Sequence, residues 1–591
     1  MKKLMNILLP ASMVLGLTTP LYAQEEAFAE VSETTSSTET TVSTKDELVK
    51  AVTDAKDGTT IKLTQNIELS EKLNIVANKN ITIDLNGKNL TLKKGSNTVL
   101  MNVTNSDGKG APELLLTDSA AVKGKIESSE NASMICVRKG AKVVTRNVNL
   151  VFSDENHDAS NSAIQLQGEL KVETGSNISS TEGGIFILQE GSKLDVYDGN
   201  IVAEYYAVTG NGSAGYGNTV ININGGTLKA NNGAGIFHPQ NATLTLNGGT
   251  ITGLTGVQMC AGNLVVPETS TVKVIATGED DRANKTGDGN IDDGRAISLI
   301  SRKSGYDGTP TAHIAGGTFV SQNEKIKDTI LAYSWDNSTN QSSDWTGAAE
   351  KTTVSGGEFN KPFDAEFVKE KTSFLAVDGT YYVATGDTLN NLIANADESI
   401  VILKNITNVN VPGGVKVENQ SGSDVTVNGT VVGNDETITT PAPSTGGGSS
   451  TVKLNPVYRA YNPNNGEHLY TLDEKEYKHL ASIGWDAEGV AFMAEEEKNG
   501  QALYRVYNPN SGLHHYTLNE TEKNTLVSLG WRDEKVAWYT SKKTQSAPVF
   551  RVYNPNDGNH HYTMNKQEKD VLVSYGWQDE GIAFRTAPIE K

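Results

Sequence analysis

The sequence predicts a mostly β protein in which a right-handed parallel β-helix is followed by a separate pseudo-threefold α+β repeat module. Between about Thr59 and Val383, apolar and polar residues alternate over short runs that Asn and Gly interrupt, a pattern typical of half-buried strands. A longer period of about 23 residues lies over this alternation. Near the end of the chain a 46-residue unit occurs three times, and a fixed period of that size indicates one supersecondary unit used repeatedly.

The first residues of the 591-residue chain are typical of a secretory signal. Two lysines precede an apolar run from Met5 to Leu17, and a short stretch ends at Leu21-Tyr22-Ala23. A further site, Ala27-Phe28-Ala29, leaves the cleavage point open. We therefore predict a signal peptide over residues 1–23 and a protein that is secreted, either extracellular or associated with the cell surface. No later stretch reaches the roughly 18 apolar residues of a spanning helix. The segment 24–43 is rich in Ser, Thr and Glu, which predicts a disordered stalk.

The charge of the chain argues against nucleic acid and membranes as partners, and its cysteine content argues against a disulfide-rich fold. The net charge is −20, and the part of the chain from Thr451 onward has 16 Lys and Arg against 19 Asp and Glu. Neither part is basic enough to attract nucleic acid or an anionic membrane surface. Cys136 and Cys260 are the only cysteines, too few for a disulfide framework. They are either buried thiols or a bridge between rungs of the β-helix.

A short helix is expected to open the β-helix. Thr44 and Glu47 are spaced as a capping box. Leu48, Val49 and Val52 fall on one face of the helix that would follow. Such a helix would cover the open end of the first coil.

Repeated segments predict the coils themselves. Four of them start at Gly183, Tyr206, Gly233 and Gly256, spaced 23, 27 and 23 residues apart. A Gly-Gly-x turn recurs at four positions, Gly225, Gly248, Gly316 and Gly356. Coils of this size with Gly and Asn corners stack into a parallel β-helix, because one coil alone cannot bury its apolar stripe. We place the β-helix at residues 44–384.

Two shorter stretches follow the predicted β-helix. Residues 385–438 echo the opening segment and then alternate Val with polar residues, which predicts a small β-rich piece, either a last cap or a separate stub. Residues 439–455 are rich in Gly, Ser and Pro and form a flexible linker by composition. The three-repeat module then occupies residues 456–591.

The β-helical stretch resembles the pectate-lyase-like adhesive regions of secreted Gram-positive surface proteins. The resemblance rests on the opening helix, on the run from Asn80 to Gly87, and on the Gly-Gly-Thr turns. It implies the fold and says little about activity, because the Gly and Asn residues can simply turn corners.

Each 46-residue unit predicts a hairpin, a short helix and a closing strand. The hairpin turns at an Asn-Pro-Asn run, and Gly stops the helix just before a Trp. The helix starts are marked in all three copies by capping boxes, at Asp473/Glu476, Asn519/Glu522 and Asn565/Glu568. A β-trefoil has a similar repeat length, but its repeats lack this helix.

The units resemble a triple-repeat domain of unknown function found at the C-termini of secreted bacterial hydrolases and surface proteins. The matching features are the Tyr-Asn-Pro-Asn-x-Gly-x-His-x-Tyr-Thr runs and the Gly-Trp pairs. The resemblance implies extracellular placement and binding to a cell wall or a glycan.

Polar residues kept in all three copies are the candidate binding residues. They are an Arg, a Tyr and a His per copy: Arg459, Tyr461, His468; Arg505, Tyr507, His514; Arg551, Tyr553, His560. Rings can stack on the apolar face of a sugar while the donors take its hydroxyls. The structural alternative places the rings in the core and uses His to cap the turn. Zinc at the paired histidines of repeats two and three is a further alternative, but Leu469 replaces one of them in repeat one.

One loop of the β-helix gathers charge. Residues 279–295 hold several Asp and two Arg, and the register of Asp288, Asn290 and Asp292 hints at a calcium loop. Asp293 stands where an EF-hand has Gly. The loop is therefore a solvated acidic loop, a calcium site without catalysis, or a site where Arg acts as base against an acidic sugar.

These patterns predict a secreted bacterial surface or adhesin-like protein whose β-helix is a scaffold and whose C-terminal module binds glycans or cell-wall polymers. No catalytic residue is predicted, and calcium is the one conceivable cofactor. The alternative is an extracellular polysaccharide-active enzyme, a lyase or glycoside hydrolase, with a C-terminal targeting module. A groove on the β-helix with convergent carboxylates and a base would decide for the enzyme.

Overall fold

The computed structural model forms two compact units. The residues it describes are 38–76, 79–104, 113–130, 132–154, 161–282, 289–302, 304–394, 396, 398–441, 454–463, 465–495, 500–542, 546–555 and 558–586. One unit comprises the described residues up to Ile438 apart from Pro412–Gly414, and the other comprises Pro412–Gly414 and the described residues from Thr439 on. The signal prediction for 1–23 lies outside the described residues. No helix in the described part of the chain is long and apolar enough to cross a membrane.

The first unit is a parallel β-helix with three long sheets, and successive strands of the chain visit the three sheets in turn. The strands of the first sheet are Glu39–Val42, Thr59–Leu63, Ile81–Asp84, Glu113–Thr117, Lys142–Arg146, Glu169–Val172, Lys193–Val196, Val220–Ile223, Thr243–Leu246, Asn263–Val266, Thr311–Ile314 and Thr352–Val354. Those of the second sheet are Leu73–Val76, Met101–Thr104, Ile135–Val137, Ser162–Leu166, Gly183–Ile187, Val208–Gly210, Ala234–His238, Thr255–Met259, Ile297–Arg302, Ile330–Asp336 and Gln341–Asp344.

The third sheet runs the length of the unit and continues past the last coil. Its coil strands are Ile67–Leu69, Leu90–Leu92, Ile126–Ser128, Asn149–Phe152, Asn177–Ser180, Asn200–Ala203, Thr227–Ala230, Thr250–Gly253, Lys273–Ala276, Thr318–Ser321 and Gly357–Phe359. The coil strands pair in parallel, so that Ile178 lies beside Ile201 and Ile201 beside Leu228. These three side chains are buried. The inward aliphatic residues therefore stack from coil to coil, as a parallel β-helix requires.

The predicted 23-residue period matches the second sheet. Gly183 begins one strand of this sheet, and Gly233 and Gly256 lie at the start of two others. The Gly-Gly turns form corners: Gly249 has a φ of +86°, and a Cβ there would lie 2.8 Å from the Gly225 backbone. Only glycine fits a left-handed corner packed this closely. The Asn corners hydrogen-bond along the stack, and Asn200 Nδ2 donates to Asn177 Oδ1 over 3.0 Å.

The opening of the β-helix differs from the prediction in two details. The helix Lys45–Asp54 is present, and Thr44 accepts a hydrogen bond from the Glu47 amide. Its buried face carries Leu48 and Val52, whereas Val49 is 41% exposed. The disordered stalk predicted for residues 24–43 is also wrong at its end, because Glu39–Val42 pair in parallel with the next strand and extend the first sheet.

The stretch predicted as a cap or stub continues the third sheet. This end of the sheet consists of Ser373–Val377, Thr380–Ala384, Ser399–Lys404, Lys416–Asn419 and Thr437–Thr439. A small sheet of Asn408–Val409, Val425–Val427 and Thr430–Val432 lies in the same region. Helices Ala348–Lys351 and Gly386–Ala394 and the 3-10 helix Ala365–Phe367 are the remaining helices that the structure describes in this unit. Mainly Val and Ile side chains form a separate apolar core here.

The second unit contains the three-repeat module, and each repeat has the predicted order of hairpin, helix and closing strand. Repeat one consists of Asn455–Tyr461, His468–Thr471, helix Glu474–Ser482 and Asp486–Ala494. Repeat two consists of Gly500–Tyr507, His514–Thr517, helix Glu520–Ser528 and Arg532–Ser541. Repeat three consists of Ala547–Tyr553, His560–Thr563, helix Lys566–Ser574 and Gln578–Thr586. Each repeat forms its own antiparallel three-stranded sheet with the first strand in the middle, which confirms the separate repeat module.

Cys136 and Cys260 are both buried free thiols. Of the two alternatives for the cysteines, the structure has the unpaired thiols and not the bridge. Burial raises the pKa of Cys136, although Arg138 and Lys72 nearby act in the opposite direction.

Candidate ligand-binding site in the three-repeat module

Three tyrosines join the repeats at the centre of the module. Tyr470, Tyr516 and Tyr562 are at most 2% exposed, and their ring centroids are 5.5–5.8 Å apart. Each hydroxyl donates to the backbone carbonyl of one neighbouring tyrosine, over 2.7–3.0 Å, and accepts from the amide of the same residue. Burial raises the pKa of all three hydroxyls, so they remain donors. We call this arrangement the tyrosine ring.

An arginine beside the tyrosine ring binds two carboxylates. Arg459 Nε lies 2.8 Å from Glu488 Oε2 on the closing strand of the same repeat. Its Nη1 lies 3.4 Å from Glu568 Oε1, at the start of the helix of repeat three. The Arg459 side chain is 19% exposed. It therefore links two repeats through ion pairs that are largely shielded from water.

Repeat two has the same arrangement, and repeat three has the ion pair within the repeat. Arg505 Nε lies 2.7 Å from Glu534 Oε2, and its Nη1 lies 3.1 Å from Glu476 Oε2 of repeat one. Arg551 Nε lies 2.7 Å from Glu580 Oε2. We call these three arginines and their carboxylate partners the arginine clasps. Arg505 connects repeat two to repeat one, and Arg459 connects repeat one to repeat three.

Each predicted histidine lies between its clasp and its predicted tyrosine. The ring centroids are 4.9 Å apart for Tyr461 and His468, 5.0 Å for Tyr507 and His514, and 4.9 Å for Tyr553 and His560. The histidine Nε2 atoms lie 3.4–3.6 Å from the carboxylate that also binds the arginine of the same repeat. The structure thus brings the Arg, His and Tyr of each copy together, as strand alternation predicts.

The tyrosine of each copy is the central member of a row across the sheet. Residues directly opposite one another in neighbouring antiparallel strands share a face. The rows are His468–Tyr461–Asp486, His514–Tyr507–Arg532 and His560–Tyr553–Gln578. The third member of each row is exposed, and each tyrosine is half-buried. We call these three sets the tyrosine rows.

The histidine of repeat two differs electrostatically from that of repeat one. His514 Nδ1 lies 2.7 Å from Glu467 Oε1. Burial acts to lower the pKa of His514, but hydrogen bonds to Glu467 and Glu534 outweigh it and raise the pKa. Glu467 has no counterpart beside the other histidines, because Leu513 and Asn559 occupy that position in repeats two and three.

His468 has the opposite shift. Its ring packs edge to face on His561 of repeat three, with centroids 4.3 Å apart. Burial, together with the charges of His561 and Arg459, lowers the pKa of His468 to about 3. Its Nδ1 is buried and has no hydrogen-bond partner among the described residues. His468 is therefore neutral at pH 7.

The glutamates at the helix starts bind other groups and do not take the capping role that the sequence predicts. Asn519 does cap its helix and accepts from the Thr521 and Glu522 amides. Glu522, however, accepts from Thr517 Oγ1 over 2.6 Å and lies 3.2 Å from His515 Nε2. The contact with His515 is the main reason that the pKa of Glu522 falls to about 2. The Glu522 carboxylate thus binds a threonine hydroxyl and a histidine of its own repeat instead of the backbone amide of the N-cap residue.

The predicted binding residues thus fall into two groups. The three Arg and three His belong to an ion-pair network, whereas the tyrosines stand at its outer side with half-exposed rings. Sequence reasoning missed the carboxylates on the closing strands, Glu488, Glu534 and Glu580. Their 46-residue spacing was the available signal, since acidic residues at a repeated position opposite a repeated Arg indicate an ion pair.

The acidic loop of the β-helix is held together by its own contacts. Asn290 Nδ2 donates to Asp292 Oδ1 over 2.9 Å, and Asp288 lies outside the described residues. Asp293 is fully buried, accepts from Ser298 Oγ over 2.7 Å and accepts from Tyr333 Oη over 3.2 Å. No group of three or more His, Cys, Asp or Glu side chains in the described ranges could hold a metal ion. The calcium site stays a prediction.

Residues 456–587 match a family described as a domain of unknown function, DUF5648. The match covers the three-repeat module and agrees with the second resemblance drawn from the sequence. It supplies no chemistry for the site. No curated protein and no solved structure matches the chain. The structure supports the parallel β-helix of the first unit, and its resemblance to pectate-lyase-like adhesive regions stays a prediction.

Proposed function

We propose that the protein is a secreted, adhesin-like bacterial surface protein in which the β-helix serves as a scaffold and the three-repeat module binds glycans or cell-wall polymers. The observation that carries this proposal is the set of tyrosine rows. The same half-buried ring packs on the same histidine in all three repeats, and that histidine lies against the carboxylate of an arginine clasp. An aromatic ring held in this way offers a stacking surface to the apolar face of a pyranose.

Threefold repetition supports binding more than catalysis. One site suffices for turnover, whereas three linked sites raise the effective concentration of the second and third contacts on a polymer. A repetitive ligand such as a polysaccharide gains most from this arrangement. Single sites of modest affinity then hold firmly to a surface.

The acidic loop of the β-helix favours a structural role over the enzyme alternative. Arg295 Nη1 lies 2.6 Å from Asp280 and its Nε lies 2.7 Å from Asp328. Asp293 is buried and hydrogen-bonded on both oxygens. Groups engaged in this way are poor candidates for a general base, which has to reach a substrate proton.

The test replaces the tyrosines and not the clasps. Arg505 and His514 are 17% and 13% exposed and ion-paired, so their loss would change stability as well as binding. We expect the triple variant Tyr461→Ala, Tyr507→Ala, Tyr553→Ala of the full chain to lose sedimentation with purified Gram-positive cell walls. Because the rings are half-buried and pack on histidines, the melting temperature is measured as well, and sedimentation is compared at a temperature where both proteins are folded.

The matched control is Tyr575→Ala. Tyr575 is 77% exposed in the same module and lies outside the tyrosine rows. It should leave sedimentation unchanged. Equal loss in both variants would show non-specific adhesion, and undiminished binding of the triple variant would refute the proposed site.

A further inference from the structure

We infer that the three tyrosine rows differ in ligand preference, and that the row of repeat two binds an anionic group, a carboxylate or a phosphate, of a glycan polymer. The inference rests on the proposed function and adds the chemical class of ligand for one of its sites. The specificity-determining residue is Arg532.

The rows have one variable member. The clasps, the histidines and the tyrosines are kept in all three copies, whereas the exposed position beside the tyrosine is Asp486, Arg532 or Gln578. Packing of the module does not require a particular residue there, because all three side chains are exposed. The charge beside the half-exposed ring is therefore negative in repeat one, positive in repeat two and neutral in repeat three.

Arg532 is placed to meet a ligand on the Tyr507 ring. Its Cζ lies 5.3 Å from the centroid of that ring. A guanidinium that lies over an aromatic ring keeps the N–H groups at its edge free, and this planar fork fits a carboxylate or phosphate in bidentate fashion. A sugar bound at this tyrosine row would then hold its acidic substituent against Arg532, which itself covers part of the Tyr507 ring.

The charge of Arg532 is not neutralised by its neighbours. Among the described residues it makes no ion pair. Asp533 lies 3.1 Å from Lys535 Nζ, and Glu534 is engaged by Arg505 and His514. The nearest carboxylates along this strand therefore already have cationic partners, and the exposed guanidinium remains available.

The expected size of the effect is modest for one site. Exposed ion pairs are weak, but a bidentate arginine contact is among the stronger ones. We expect Arg532→Gln to weaken binding to an anionic polymer roughly three- to tenfold. The negative charge of the whole chain acts equally on the variant and the parent, so it cancels in the comparison.

The experiment measures binding of the full chain to three immobilised polymers: polygalacturonate with carboxylates, poly(glycerol phosphate) with phosphates, and neutral pullulan. Arg532→Gln gives repeat two the residue that repeat three has at this position. It should reduce binding to an anionic polymer and leave pullulan binding unchanged. The exchange Gln578→Arg should increase binding to the same anionic polymer, since it places a guanidinium beside Tyr553.

Salt provides an independent readout. The part of the binding that depends on Arg532 should shrink as the ionic strength rises from about 0.05 to 0.5 M, because exposed charges are screened over a Debye length of roughly 10 Å at 0.1 M. Melting curves check that both variants stay folded, which is expected for exposed positions. Whichever anionic polymer responds identifies the group as carboxylate or phosphate.

The outcomes separate this inference from the proposed function. If the parent binds polymers but Arg532→Gln changes all of them equally, or none, the inference is wrong while glycan binding stands. If the parent binds no polymer and no cell wall, both fail.

Discussion

Single residues at one position of the repeat have opposite electrostatic surroundings. His514 lies against Glu467, whereas His468 packs on His561, and the repeat position of Glu467 is Asn559 in repeat three. A conserved histidine therefore has a raised pKa in one repeat and a lowered pKa in another. Each shift makes folding depend on pH, in opposite directions.

The first prediction concerns His468, which faces Glu488, Glu568, Arg459 and His561. Its folded pKa of about 3 lies below the model-compound value of 6.5, so the unfolded chain takes up a proton that the folded chain does not. Stability should therefore fall as the pH drops from about 6.5 towards 3. We expect His468→Gln to flatten the fall in free energy of unfolding between pH 7 and 5, measured by urea denaturation.

His514→Gln is the matched control for this prediction. The folded pKa of His514 is raised, so its stabilisation is present below about pH 6.5 and is lost as the pH rises through the folded pKa. Removing it should steepen the fall in stability from pH 7 to 5. The same change of slope in both variants would contradict the assigned surroundings. The pKa values of Glu522 and Glu568 are lowered from 4.5 to about 2, so the stability that they contribute is lost mainly below pH 5 and in both variants alike.

For single residues, the sequence predicts which side chains of one repeat lie close together, but not which residues of other repeats they contact. Alternation along two strands correctly groups Arg505, Tyr507 and His514. It cannot predict that Glu476 of another repeat binds Arg505, because that contact depends on how the repeats pack. The same limit hides Glu467, which is one of three different residues at its position and so carries no repeat signal.

Among the structural elements, the corners of the β-helix are the most constrained. Gly249 and Gly191 both have positive φ, of +86° and +77°. A Cβ at Gly249 would lie 2.8 Å from the backbone of Gly225, whereas at Gly191 nothing lies within 4 Å. The two glycines therefore separate the cost of the left-handed backbone from the cost of a clash between coils.

The second prediction uses this pair. Gly191→Ala should destabilise the β-helix by about 1–2 kcal/mol, the typical cost of a left-handed backbone for a residue with a Cβ. Gly249→Ala should cost more, since two adjacent coils also have to move apart. Thermal unfolding of the full chain, followed by far-UV circular dichroism, measures the difference. Equal melting temperatures of the two variants would show that the coils separate without cost.

Elements are predicted well where their cause is local. The strands, the Gly corners and the N-cap residues follow from period, backbone freedom and spacing, and the structure has them. Val49 is exposed although it lies beside Leu48 and Val52 in the predicted helix, because the stripe covered by the first coil is narrower than the apolar pattern. Glu39–Val42 look like a stalk by composition, but pairing with a finished sheet makes a polar segment a strand.

For the whole molecule, the third prediction is that residues 452–591 fold without the β-helix. The tyrosine ring and the arginine clasps connect repeats only with one another. Expressed alone, this fragment should give one cooperative melting transition by circular dichroism. A fragment of repeats one and two, residues 452–545, lacks Tyr562 and Glu568 and should not melt cooperatively. A disordered three-repeat fragment would contradict the boundary.

The overall architecture could be predicted from the sequence because the period of the coils and the period of the repeats are both visible in it. About 23 residues make a coil and 46 make a repeat, and the parallel sheets and separate small sheets agree with both. The contacts that join the three repeats could not be predicted from the sequence. Tyr470, Tyr516 and Tyr562 appear in the sequence as ordinary aromatic residues, and their mutual hydrogen bonds depend on closure of the module.

The tyrosine ring also has a consequence for how such a module diverges. Its three inter-repeat hydrogen-bonded contacts are alike. A substitution of one of its tyrosines therefore affects the contacts with both neighbouring repeats. The exposed residues of the tyrosine rows are not constrained by packing against two neighbouring repeats. After duplication, the exposed position of one copy can change while the others stay as they were, and the shared centre preserves the fold throughout. The equivalent exposed position has three different residues in this one chain, Asp486, Arg532 and Gln578.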